Sequence, residues 1–326
     1  MVNFTVSKSP HWLLRGGHAQ TLGAYFLFQK QASHFIDDHV KTRDGDTLLC
    51  RRHWPSSFTD NTQDANQVRK VALLFHGLSG SSESNYMIYT ADELTQQGWA
   101  VVRVNQRSAG ASLRLSQGLY HSHRLDDFED VFLAYKNIFP KAEEIVFIGY
   151  SMSGGMVLRY GASHRQQPQR LVSVCAPLEL KEASLAMNRG MNRVYQANFM
   201  NELVQIVKTK KGSEFVQKNK LHMFTSVYEF DQALTTFEAG FENVEEYYRE
   251  CSAFDKIPEI KTPHIVIAAK DDPIVDFRFY EKAQWNSLSR VYMNQYGGHM
   301  GFVTQGESLL SHERALEKFI SMALLR

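Results

Sequence analysis

The chain has 326 residues, 43% of them apolar and 22% charged, an ordinary globular composition with ample material for one large core. A formal net charge of +1 supplies no concentrated basic surface, so nucleic acid is not an expected partner. Cys50, Cys175 and Cys251 are widely separated and odd in number, which fits a reducing compartment better than a disulfide framework, and with no C-x-x-C pair they suggest neither zinc nor redox chemistry.

The first residues, M-V-N-F-T-V-S-K-S-P-H-W-L-L-R, lack the basic-then-apolar order of a signal peptide. No stretch approaches the roughly 18 apolar residues of a spanning helix. A cytoplasmic location without an integral membrane segment is expected. Residues 1–33 are read as a segment packing on the core, although Trp12-Leu13-Leu14 and Tyr25-Phe26-Leu27-Phe28, near Arg15 and Lys30, leave peripheral membrane contact open.

From His34 to Trp54 the pattern is a hairpin turning at Arg43-Asp44-Gly45-Asp46, where Asp-Gly favours a tight turn. Strand-like apolar runs follow at 71–77, 100–107, 145–151, 171–177, 264–270 and 290–296. Helical patterns lie between them. Met87, Ala91 and Leu94 share one face; Leu125, Phe128, Val131, Phe132 and Tyr135 share another; Leu316, Phe319, Ile320 and Ala323 line the last helix. This alternation predicts an α/β fold with a mainly parallel sheet, helices on both faces and an antiparallel hairpin at one edge. The interval 178–262 breaks the alternation with helical patterning, as at 201–209 and 244–251, and is read as an inserted helical cap between core segments 34–177 and 263–326. Its basic run Lys208-Thr209-Lys210-Lys211 is read as a solvated face.

The run E-I-V-F-I-G-Y-S-M-S-G-G, from Glu144 to Gly155, stops an apolar strand at Gly149 and delivers Ser151 among small residues. A nucleophilic serine needs such a turn, because only small neighbours let a strand bend sharply into a helix and leave the hydroxyl exposed. A serine hydroxyl also needs a base, and the base an orienting acid. Asp271-Asp272-Pro273-Ile274-Val275 follows one predicted strand, and Gly297-Gly298-His299-Met300-Gly301 follows the next. The order Ser151, Asp272, His299 is the one associated with the α/β-hydrolase fold. Asp272 is chosen as the acid because it precedes the short apolar pair; Asp271 is the alternate, with capping of the Asp-Pro turn as its other role. The oxyanion donors are expected to be the Leu78 and Met152 amides, the first in the small-residue loop Phe75 to Ser82, the second opening the helix after Ser151. His76, Gly77 and Gly149 are read as supporting residues. The loop lacks the Gly-Lys-Ser/Thr of a phosphate cradle and the spaced glycines of a dinucleotide site, so no cofactor or metal is expected.

Across nearly its whole length the chain resembles the YheT-like branch of the α/β-hydrolase superfamily, which includes eukaryotic abhydrolase-domain esterases and lipases. The residues that carry the resemblance are Gly17-His18-Ala19-Gln20-Thr21; His76 to Ser82 with Ser84 and Tyr86; Tyr120-His121-Ser122 with Asp127; Gly240-Phe241 with Tyr247-Tyr248; Asp271-Asp272-Pro273; and Gly298-His299. It implies an eight-stranded-type sheet and carboxylic-ester hydrolysis of a small ester or lipid by Ser151, Asp272 and His299. Two departures stand out: the elbow reads G-Y-S-M-S-G-G where the family has G-F-S-L-G-G-N, and R-G-x-S-G has become Arg107-Ser108-Ala109-Gly110. Two other readings stay open, a thioesterase or lipase-like enzyme for longer acyl chains and a noncatalytic hydrolase-fold protein that binds a small ligand under the cap. No role for His18 to Thr21 follows from the sequence.

Overall fold

The computed structural model describes residues 2–3, 9–27, 29–59, 63–305 and 315–324. Nine strands form one sheet: β1 (Val2–Asn3), β2 (Ile36–Lys41), β3 (Thr47–His53), β4 (Lys70–Phe75), β5 (Ala100–Val104), β6 (Glu144–Tyr150), β7 (Arg170–Val174), β8 (His264–Ala269) and β9 (Ser289–Asn294). Their spatial order is β1-β9-β8-β7-β6-β4-β5-β3-β2. β2 and β3 form the expected antiparallel hairpin and β3 joins β5 antiparallel, while all other pairings are parallel. The eight strands β2–β9 match the expected sheet; the ninth is the two-residue β1, too short to leave a periodic signal, lying against Val291 and Tyr292 of β9.

The central strands are apolar on both faces because both are covered. Val71, Leu73 and Phe75 of β4 and Ile145 and Phe147 of β6 point into one core with the helices α3 (Leu125–Ile138) and α4 (Met152–Ala162). The alternating Ala72, Leu74, Val146, Ile148 and Tyr150 point into a second core with α2 (Asn85–Gln96) and the helix Ala315–Leu324. Every parallel strand therefore ends at the same edge, and its following loop opens there.

Between β7 and β8 lies a helical insertion. Its long helix Asn192–Lys211 buries Asn192, Gln196, Met200, Leu203 and Val207, one stripe at helical spacing. This stripe joins Leu119, Val216, Leu221, Val227 and Phe230 in a separate apolar cluster. The basic run at its end is tied down rather than simply solvated: Lys210 donates to the Ser116 carbonyl, and Lys211 pairs with Glu238. The insertion closes earlier than residue 262, because Ala253, Ile257 and Ile260 belong to the sheet core.

The N-terminal segment divides. Leu14 packs with Tyr89 and Val303, and the His11 amide donates to the Val303 carbonyl at 3.0 Å. Trp12, Leu13, Tyr25, Phe26 and Leu27 do not pack as expected and remain 48% to 66% exposed; Phe28 lies outside the described residues. Among the described residues no helix is long and apolar enough to cross a membrane.

Candidate active site

Ser151 sits where β6 turns into α4, with φ 51° and ψ −120°. That backbone costs about 1–3 kcal/mol for a non-glycine residue and is held by its surroundings. The Ser151 amide donates to the Val174 carbonyl at 2.8 Å. Two glycines make the turn possible by close approach: a Cβ on Gly149 would meet the Ser153 carbonyl oxygen at 2.2 Å, and one on Gly77 would meet the Ser151 Cβ at 2.9 Å. Ser153, where a glycine is usual in the resembling branch, fits without opening the elbow. It is fully buried, donates to the His76 carbonyl at 2.5 Å and accepts from Gln106 Nε2 at 3.2 Å, so it ties α4 to the end of β4.

The residues after β8 and β9 meet Ser151. His299 Nε2 lies 2.9 Å from Ser151 Oγ, and His299 Nδ1 lies 2.8 Å from Asp272 Oδ2. An Nδ1–H donating to Asp272 leaves Nε2 as an acceptor for the serine hydroxyl. The other Asp272 oxygen accepts the Ile274 and Val275 amides at 2.8 and 3.0 Å, which fixes the carboxylate. Asp271 faces elsewhere: it accepts the Gly298 amide at 2.8 Å and so holds the histidine loop, while burial pushes its own carboxyl up. Cys175 Sγ lies with the Asp272 and His299 ligand atoms within 4.8 Å, but burial and the nearby Asp272 hold the thiol well above its usual pKa. Metal binding by cysteine requires the thiolate, and the Asp272 and His299 atoms are already paired to each other, so the donor set does not fit a metal.

Around Leu78 each neighbouring amide has a partner. Gly77 donates to the Tyr86 hydroxyl at 3.1 Å, Ser79 to the Tyr120 hydroxyl at 2.6 Å, and Gly80 to the Gly77 carbonyl at 3.1 Å. The Leu78 amide has no acceptor among the described residues. Met152 opens α4, so its amide has no carbonyl one turn back. His76 is buried and neutral, its pKa lowered to about 4 by desolvation; its Nε2 accepts from the Gln106 amide at 3.2 Å and its Nδ1–H donates to the Gly77 carbonyl at 2.8 Å. That is a support for the loop. Tyr86 and Tyr120, noted in the sequence only as motif members, are its other fixed points.

His18 to Thr21 lie on α1 (Gly17–Leu27), and they hold the histidine loop from outside. Thr21 Oγ1 accepts the His299 amide at 2.9 Å. Fully buried Gln20 accepts the Val303 amide at 2.7 Å and donates to the Val303 and Leu14 carbonyls at 2.9 and 2.8 Å. His18 stacks on Tyr195 of the insertion and shares a 3.0 Å hydrogen bond with its hydroxyl. Apart from Leu14, these partners are far away in the chain, so periodicity carried no trace of them.

The profile described as the alpha/beta hydrolase fold matches residues 71–305. The chain belongs to the α/β-hydrolase fold family. It is 29% identical over 271 residues to YheT of Escherichia coli, a protein that bears an esterase name, with 81% of this chain and 78% of that protein covered. It is 22% identical to human Phospholipase ABHD3, covering 88% and 71%, and 25% identical to the Monoacylglycerol lipase of Saccharomyces cerevisiae, covering 78% and 59%. Among solved structures, the Pyrococcus furiosus esterase Pf2001 superposes with a TM-score of 0.56 at 16% identity, over 99% of this chain and 97% of that one, a likeness of fold.

In this α/β hydrolase a cavity opens between Ser151 and the helical insertion, bordered by Leu78, Met152 and His299. One wall is apolar, built from Leu119, Phe199, Leu203, Ile206, Val207 and Phe230. Tyr247, Tyr248 and Asp231 also line it, the last accepting from the Tyr248 hydroxyl at 2.8 Å. Arg107, at the altered Arg107-Ser108-Ala109-Gly110 stretch, is not among the residues lining this cavity. It makes a two-pronged bond to Asp127 at 2.8 and 2.6 Å and reaches Asp44 and Asp46 in the hairpin turn.

Proposed function

We propose that this hydrolase cleaves carboxylic esters through an acyl-enzyme intermediate on Ser151. The observation that carries the reading is the unbroken line from Ser151 Oγ to His299 Nε2 at 2.9 Å and from His299 Nδ1 to Asp272 at 2.8 Å. Ser151 Oγ attacks the ester carbonyl while its proton passes to His299 Nε2, and Asp272 holds the ring and stabilises the imidazolium. The carbonyl oxygen, now carrying negative charge, accepts from the Leu78 and Met152 amides, which have no internal acceptor to give up first. Nε2 then returns the proton to the departing alcohol. Water, deprotonated by the same nitrogen, releases the acid and restores Ser151. The esterase, lipase and phospholipase names of the relatives support an ester or lipid substrate.

The apolar wall favours acyl chains of medium or greater length, which bury more surface there than acetate does. A chain-length series of p-nitrophenyl esters measures this, with kcat/KM rising from acetate toward octanoate; a fall would refute the lipase-like reading. Ser151→Ala should abolish turnover of the preferred ester, and undiminished turnover would sink the mechanism. A noncatalytic ligand-binding protein would show no turnover in the unmodified chain.

A further inference from the structure

Of the thirteen large apolar side chains left exposed among the described residues, seven fall in two segments that the fold brings together. Trp12, Leu13, Tyr25, Phe26 and Leu27 belong to the N-terminal segment, while Met191 and Val194 flank the start of the long helix Asn192–Lys211. Leu14 sits on Gly23, where an added Cβ would meet Leu14 Cδ2 at 2.6 Å, so Trp12 and Leu13 lie along α1. The insertion joins α1 at His18, which stacks on Tyr195. It joins again at Pro273, whose carbonyl accepts from Asn192 Nδ2 at 2.5 Å and whose Cδ a Cβ on Gly17 would meet at 3.3 Å. Single exposed apolar residues are ordinary, but seven in adjoining segments mark an interaction surface.

The same segments are cationic without compensation. Neither 9–36 nor 183–201 contains an aspartate or glutamate. Arg15, Arg189 and Arg193 are exposed there, and none has an ion-pair partner among the described residues. Lys30 differs, being paired with Asp92. This combination selects the occupant. In a two-fold dimer the face would meet its own copy, and its arginines would find no acid there. An anionic bilayer supplies both missing halves, phosphates for the guanidinium groups and an apolar boundary for Trp12, Tyr25 and Phe26. The face also borders the catalytic cavity: Ala183, Met187 and Phe199 of the same insertion segment line it, and Thr21 of α1 holds His299.

We propose that this face docks the hydrolase on an anionic lipid bilayer, the apolar side chains entering the headgroup boundary and Arg15, Arg189 and Arg193 contacting lipid phosphates. Docking needs no turnover and does not rest on the ester reading. Flotation of the full chain with vesicles of equimolar phosphatidylcholine and phosphatidylglycerol tests it, with pure phosphatidylcholine vesicles alongside. Each basic residue near an anionic surface contributes about fivefold, so the chain should favour the mixed vesicles by about a hundredfold. Added salt should release it. Replacing Arg15, Arg189 and Arg193 together by Gln should erase the difference between the two vesicles. Trp12→Ser with Phe26→Ser should weaken binding to mixed vesicles about tenfold, as loss of buried aromatic surface requires. Phe237→Ser removes an equally exposed ring beside Glu238, which pairs with Lys211 about 30 Å along the same helix, and should change nothing.

Equal partition onto neutral and mixed vesicles would overturn the proposal. So would no partition onto either, the result expected of an acidic protein partner. Both readings use the unmodified chain and stand however the variants fold. Binding lost in Phe237→Ser but kept without Trp12 and Phe26 would contradict it as well. A dimer in sedimentation that the Trp12 and Phe26 substitutions disperse would assign the face to a second copy instead.

Discussion

Thr21 and His299 are separated by 278 positions and joined by one hydrogen bond. If that bond sets the histidine loop, Thr21→Val should lower kcat for an aryl ester about tenfold, roughly the value of one lost bond to a positioned backbone group, with KM and melting temperature little changed. Thr21→Ser should restore it. An equal loss in both variants would assign Thr21 to packing alone. The choice between Asp271 and Asp272 also belongs to this scale. The sequence order placed an acid in that loop and pattern similarity favoured Asp272, but only the geometry puts one carboxylate on His299 Nδ1 and the other on the Gly298 amide. Both aspartates fit the local pattern because adjacent residues after a strand leave it facing different sides. The serine at position 153 is resolved in the same way, since its value lies in the His76 carbonyl it meets across the elbow.

Elements explain why the site is where it is. Among the described non-glycine residues, Ser79, Ser108, Ser151, Cys175, Met300 and Phe302 have positive φ and each follows the carboxyl end of a parallel strand, while Lys220, also at positive φ, lies in the insertion. Tight reversals are concentrated at that one edge, where the site is built. The strands and covering helices were legible as apolar periodicity, since both faces of the sheet are buried. The end of the insertion was not, because the short helical turn Phe254–Glu259 reads like cap but packs Ile257 into the sheet core. Arg107 links elements as well, joining the β2–β3 turn to α3 through Asp44, Asp46 and Asp127. Arg107→Met would leave buried Asp46 and Asp127 without their counter-charge. The unfolding free energy should fall by about 3–5 kcal/mol, read from the urea midpoint. A loss below about 1 kcal/mol would mean the network contributes only at the surface.

At the scale of the whole molecule, stability should carry a trace of the cavity. Desolvation raises the Asp231 carboxyl to about 6, above the 3.8 of an unperturbed aspartate, so the folded chain binds this proton more tightly than the unfolded chain. The Asp231 contribution is present below pH 3.8 and is lost as pH rises through about 6. Urea unfolding of the unmodified chain and of Asp231→Asn across that window should converge at the acid end and separate as pH rises, with the variant the more stable. Parallel curves would contradict the assignment. The overall architecture was readable in advance, and strand-end position and chain order pointed to Ser151, to His299 and to an acid in the loop after β8, while the geometry is what pairs Asp272 rather than Asp271 with His299. What faces the cavity from the insertion was not readable, since Asp231 and Tyr247 come together with core residues such as Leu119 and Tyr120 only when separate elements fold onto one another.

Ser151 is the nucleophile we propose, activated by His299. Treating the chain with a fluorophosphonate and mapping the adduct by tandem mass spectrometry tests it most directly. We predict one adduct, on the Ser151 Oγ, formed in step with loss of ester turnover and absent from His299→Ala. Complete loss of turnover with Ser151 unmodified, or full turnover with Ser151 modified, would contradict the account.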